Sequence, residues 1–126
     1  MIHAEVNVKK WAKQFNAQEE QVFKVSEDVL LYVASNLYVK IIDYTPVGNP
    51  SLWKFKAPAG YQPGTLKKAW TLDFSNNNKQ AIIANDESYA VRVEYGWSSQ
   101  APYGMMRKGI AQFPDLLAQA AQRYKF

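Results

Sequence analysis

The stretch from Thr45 to Trp70, TPVGNPSLWKFKAPAGYQPGTLKKAW, sets the tightest limit on how this chain can fold. Four of the six prolines and three of the six glycines fall inside it. Loops longer than roughly 12–15 residues are uncommon in compact domains and are usually functional or disordered. Trp53, Phe55, Tyr61 and Trp70 make this one too aromatic for a disordered linker. It reads as an ordered arm, at about 45–67, between a long apolar helix and a strand pair. The expectation is that it grips something.

A chain of 126 residues, 48% hydrophobic and 14% aromatic, is one domain with its own core, spanning 1–126. There is no cysteine, which excludes disulfides, thiolate metal sites and a cysteine nucleophile. The segment MIHAEVNVKK has no apolar core of signal-peptide length, and the longest apolar run, Val29 to Ala34, is too short to span a bilayer. A soluble protein made in the cytoplasm is expected, with no membrane partner. The net charge of +4 comes from 15 cations, of which only Arg92, Arg107 and Arg123 are arginines. A reader of base edges favours the planar guanidinium fork, so a mild lysine excess points first to a solvated surface.

Residues 2–8 alternate, with Ile2, Ala4, Val6 and Val8 on one face, and read as a half-buried strand. KKWAKQF then sets Trp11 and Phe15 one helical turn apart. Asn16 with Glu19 resembles a capping box. The apolar series Val22, Val25, Val29, Val33, Leu37, Ile41, widened by Phe23, Leu30 and Ala34, predicts a long core-facing helix reaching Tyr44. Pro46 disfavours helix at Thr45 and ends it. Trp70, Leu72 and Phe74 alternate, Asn76–Asn78 can turn, and Ala81 and Ile83 return, which predicts a hairpin from about Lys68 to Asn85. In YAVRVEYG, at 89–96, the alternation of Tyr89, Val91, Val93 and Tyr95 favours a strand. Ser88 and Gly96 as helix boundaries favour a short helix. Met105, Met106 and Ile110 begin a helix, and Pro114 places another from near Phe113, with Leu116, Leu117, Ala120, Ala121 and Tyr124 inward. The fold class is therefore α+β: a long N-terminal helix and a C-terminal helix packed on a small, mainly antiparallel sheet.

Within the arm, Trp53 and Phe55 alternate with Lys54 and Lys56. This strip could stack bases and hold phosphates. A hook whose aromatics enter a partner's pocket is favoured over that, and a loop tied to its own domain by two rings is favoured slightly more. Dedicated catalytic motifs are missing. His3 has no partner nearby in sequence, and no GxSxG, HExxH, Walker-type or GxGxxG pattern occurs. No acidic pair stands at a metal or acid–base spacing, so neither a metal nor a cofactor is expected. Glu94 and Arg107 are the most tempting charge pair, and a salt bridge fixing the loop between them outweighs catalysis.

Four segments, TPVGNP at 45–50, AGYQPGTLKKAW at 59–70, YAVRVEYG at 89–96 and APYGMMRKGI at 101–110, resemble, in order, the head–tail connector or tail-completion (neck) proteins of tailed double-stranded DNA bacteriophages. The residues that carry the resemblance are Thr45, Pro46 and Val47; Gly64, Leu66 and Trp70; Tyr89, Ala90, Glu94 and Gly96; and Pro102, Met106 and Arg107. Many such proteins join the first two segments directly, without an intervening arm. The resemblance implies a short helix over 89–96. It also implies a structural virion protein, not an enzyme, assembling with itself into a six-fold ring at the head–tail junction, after synthesis in the host cytoplasm. Its partners would be adjoining neck and tail proteins, with transient contact to passing DNA. Trp53, Phe55 and Tyr61, with Lys54, Lys56, Lys67 and Lys68, are then the expected interface. A tail terminator capping the tail tube, a nucleic-acid module using the Lys/aromatic strip and a metal-dependent nuclease are the rival readings.

Overall fold

The computed structural model describes residues 2–14, 27–48, 50–75, 79–96, 100–101 and 103–124. Three antiparallel strands form one sheet in the order β1-β3-β2: β1 (Ile2–Glu5), β2 (Trp70–Ser75) and β3 (Gln80–Asn85). The register sets Asn85 opposite both Ile2 and Trp70. Alternation does what the sequence expects: Ala81 and Ile83 are buried while Ile82 faces outward.

Helix α1 (Val8–Gln14) follows β1, and its Trp11 ring meets Phe113 edge-on at 5.5 Å. Helix α2 (Glu27–Tyr44) is the central element, with Val29, Leu30, Val33, Ala34, Leu37 and Ile41 buried along one stripe. Glu27 and Asp28 occupy its first turn, where carboxylates suit the helix dipole. The expected earlier start of this helix, with Asn16, Val22, Phe23 and Val25, lies outside the described residues, as do the Asn76–Asn78 turn and Pro102. The stripe of α2 rests on β2 and β3. It also rests on two helices near the C-terminus, α5 (Met106–Ile110) and α6 (Phe113–Tyr124). Between them in sequence come the one-turn α3 (Thr65–Lys68) and α4 (Ala90–Glu94). Leu116, Leu117, Ala120 and Ala121 face inward as expected. Tyr124 does not: it is 37% exposed and meets Tyr32 edge-on at 6.2 Å.

The strand favoured by alternation at 89–96 is instead helix α4. Tyr89, Ala90, Val93 and Glu94 are buried, a helical spacing, while Val91 and Tyr95 lie outside. The period of two among the aromatic and valine positions is coincidental. Gly96, at φ 85°, makes the left-handed stop that ends the turn.

One polar joint ties the end of α2 to the sheet. Thr45 is buried, and its hydroxyl donates to Ile41 O at 2.6 Å. The same oxygen accepts the indole N–H of Trp70 at 2.8 Å. Tyr38 Oη donates to Trp70 O at 3.0 Å, so α2 holds both ends of this residue. Thr45→Val should leave the Trp70 indole unpaired and cost about 1–3 kcal/mol in urea unfolding. Adding Trp70→Phe should cost less than the sum of the two single changes, because the second removes the stranded donor.

Candidate functional site

The arm folds back on its own domain. After a 3-10 turn at Pro50–Leu52, Trp53 and Phe55 stack at 4.8 Å between ring centroids with 14° between planes. Trp53 meets Tyr61 edge-on at 4.9 Å and Tyr89 at 5.4 Å. Tyr89 also lies 6.1 Å from Phe55 and 5.9 Å from Tyr61. Tyr89 is buried at the start of α4, so the arm is clamped to the body by four rings. Arg92, one helical turn on, lies over Phe55 at 5.5 Å. The alternation read from the sequence is present: Trp53 and Phe55 are half-buried, while Lys54 and Lys56 are exposed.

Three polar atoms are sealed in this cluster. Trp53 Nε1, Tyr61 Oη and Tyr89 Oη each expose less than 1 Å². Trp53 Nε1 and Tyr89 Oη have no hydrogen-bond partner, while Tyr61 Oη is turned toward the Gly48 backbone. Tyr61 Oη lies against Gly48, where a Cβ would collide with it and come within 2.5 Å of Trp53 Cζ2. Burial raises the Tyr61 pKa, partly opposed by the Gly48 backbone. Burial pushes that of Tyr89 up to about 12, helped by the nearby Tyr61 and Glu87.

A second arrangement lies beside the cluster. Glu94 is buried at the end of α4, and its Oε1 accepts the amides of Met105 and Met106 at 2.9 and 2.7 Å. Its Oε2 accepts Arg107 N at 3.1 Å and Arg107 Nε at 2.9 Å. Arg107 Nη2 also donates to Glu94 O. Met105, at the N-cap position of α5, offers no side-chain acceptor, so Glu94 caps this helix from across the loop. Gly104 is required here: at φ 84°, its Cβ would lie 2.7 Å from Glu94 O. The outer face of the Arg107 guanidinium stacks over Tyr95 at 4.8 Å. Both oxygens of the Glu94 carboxylate are engaged in structure.

The residues singled out in the sequence therefore divide. Trp53, Phe55 and Tyr61 meet Tyr89. Thr45 meets Trp70. Glu94 meets Arg107 as the expected ion pair. Leu66 is buried in α3, behind Gly64, and its carbonyl accepts Asn85 Nδ2 at 2.9 Å. Lys67 and Lys68 belong to α3, apart in sequence from the Lys54–Lys56 strip. Pro46 follows the helix stop, and Gln100 Nε2 reaches the next carbonyl, Val47 O, at 2.9 Å. The sequence reading did not single out Gly48, Gly104 or Asn85. Asn85 carries the one available signal, since it precedes an acidic polar break and its Oδ1 accepts Glu87 N in an Asx turn.

Among the described residues, no group of three or more His, Cys, Asp or Glu could hold a metal ion, and no helix is long and apolar enough to cross a membrane. Comparison of the chain with protein families, curated proteins and solved structures finds no match.

The raised tyrosines give a pH prediction. A phenol with a raised folded pKa keeps its proton in the folded state after the unfolded chain has lost it. The stabilisation is complete below pH 10.0, the ordinary value, and is lost as pH rises through about 12. Urea midpoints should therefore fall across this interval, and Tyr89→Phe should flatten the fall. An unchanged slope in that variant would show that Tyr89 is not the titrating group.

Proposed function

We propose that this chain is a structural protein of a tailed bacteriophage, forming a ring at the head–tail junction and joining the capsid's portal complex to the tail tube. The observation that carries the reading is the pairing of the four resembling segments. Thr45 of the first bonds Trp70 of the second, and Glu94 of the third bonds the start of the fourth at Met106 and Arg107. Thr45, Trp70, Glu94, Met106 and Arg107, which carry part of the resemblance, are thus also polar joints of the fold. The short helix at Ala90–Glu94 agrees with what the resemblance implies and with neither the alternation nor a strand.

In this reading the protein acts by surface contact and turns over no substrate. A closed ring needs a head-to-tail interface that returns on itself. The arm is the candidate for that contact or for contact with the adjoining ring, through Trp53, Phe55 and Tyr61. Lys54 and Lys56 stay exposed for an acidic partner surface or passing DNA. A nucleic-acid strip would need open ring faces for bases. In the folded-back arm, Trp53 and Phe55 cover one face of each other.

Deletion of the gene separates connector from terminator. Filled heads and unattached tails of normal length are expected for the connector. Overlong tails would assign the chain to the tail terminator, and unchanged particles would remove it from the junction altogether.

A further inference from the structure

We propose that residues 50–64 form a latch with two positions, closed on Tyr89 as described here and open with Trp53 and Phe55 presented to another polypeptide. The proposal deepens the reading above, and rests on it only for the identity of that polypeptide.

The closed position carries a built-in conflict. Ring contacts among Trp53, Phe55, Tyr61 and Tyr89 hold it shut. Yet closure seals the indole N–H of Trp53 and the phenol hydroxyl of Tyr89 without a hydrogen-bond partner, each atom exposing less than 1 Å². Buried donors without acceptors are expensive, and opening returns both to water. The raised pKa values of both tyrosines reflect the same desolvation. Both atoms lie in the latch or on the surface it covers, so the whole penalty falls on one movement. Elsewhere the polar joints are satisfied: Thr45 with Trp70, Asn85 with Leu66, and Glu94 with Met105, Met106 and Arg107.

The latch also has its pivots. Gly60 and Gly64 stand at φ 74° and 87°, and a Cβ at either would meet nothing within 4 Å. Gly64 borders α3, whose Leu66 is fixed in the core, so motion stops at that point. At the other end, Thr45 is buried and Val47 O is held by Gln100. Between these fixed ends the segment can move as a unit of low local stability. A partner that stacks on the rings and supplies carbonyl acceptors to the freed donors would bind the open position alone. It would shift the population by that differential affinity.

Two substitutions push the latch in opposite directions. Tyr89→Phe removes one sealed hydroxyl and keeps the ring, so it should favour closure. Gly48→Ala places a Cβ against Tyr61 Oη and Trp53 Cζ2, so it should favour opening. Hydrogen exchange on the purified full-length chain, read by mass spectrometry, reports both. Amides of 51–64 should exchange through local opening, faster than those of β3 and without dependence on low urea. Tyr89→Phe should slow their exchange roughly tenfold, the scale of one unsatisfied buried polar group. Gly48→Ala should speed it, with β3 unchanged in both. Exchange of 51–64 only together with β3, or faster exchange in Tyr89→Phe, would overturn the latch. Should the exchange respond as expected while Trp53→Ala with Phe55→Ala still joins heads to tails, the latch stands and the anchor role at the junction fails.

Discussion

The carboxylate of Glu94 is the group on which the second half of the fold depends. A charge 3% exposed is tenable only when donors surround it, and here three consecutive amides and a guanidinium converge on two oxygens. The consequences run outward. The amides belong to the start of α5, which has no cap of its own, so the carboxylate fixes where that helix begins. Helix α5 packs on α2, and α4 carries Tyr89 at its other end. The position of one buried charge therefore sets the surface on which the arm lies. Removing it would strand three amides at once, whereas removing the half-exposed Arg107 would leave them satisfied.

The fold combines satisfied joints with one unsatisfied contact. Thr45 and Trp70 close the first half, and Glu94 and the α5 amides close the second. Both are complete in hydrogen bonds. The arm between them is held at its centre largely by ring contacts, with the Trp53 indole N–H and the Tyr89 hydroxyl left without partners. Hydrophobic contact is non-directional and can be exchanged for contact with another surface, while a satisfied buried polar joint resists such exchange. The arrangement suits a protein whose body must stay rigid while one segment changes partners.

Much of the architecture was legible from residue order. The stripe of α2, the stop before Pro46, the hairpin and the C-terminal helix follow from period and punctuation. So did the pairing of Glu94 with Arg107, expected as a salt bridge fixing the loop between them. The three amides were not legible. They depend on α5 starting one residue beyond Met105, which no local signal marks. Residues 89–96 misled local reading because Tyr89, Val91, Val93 and Tyr95 alternate, although the buried face includes Ala90 and Glu94. A strand period is meaningful only where one set of alternating residues is buried, and here both sets are split. The arm's aromatics announced a contact but not its address. Tyr89 lies far along the chain, and only the placement of α4 brings it beneath Trp53. Gly48 gave no signal, since its lack of a side chain matters only once Tyr61 returns to it.

In the function proposed here, a body of closed polar joints bears one aromatic contact that is exchanged to join surfaces. Where it does so is open to direct inspection. Negative-stain imaging of purified phage particles, labelled with an antibody to this chain, should place the label at the collar between head and tail. Label on the tail tip, or on no part of the particle, would contradict the account.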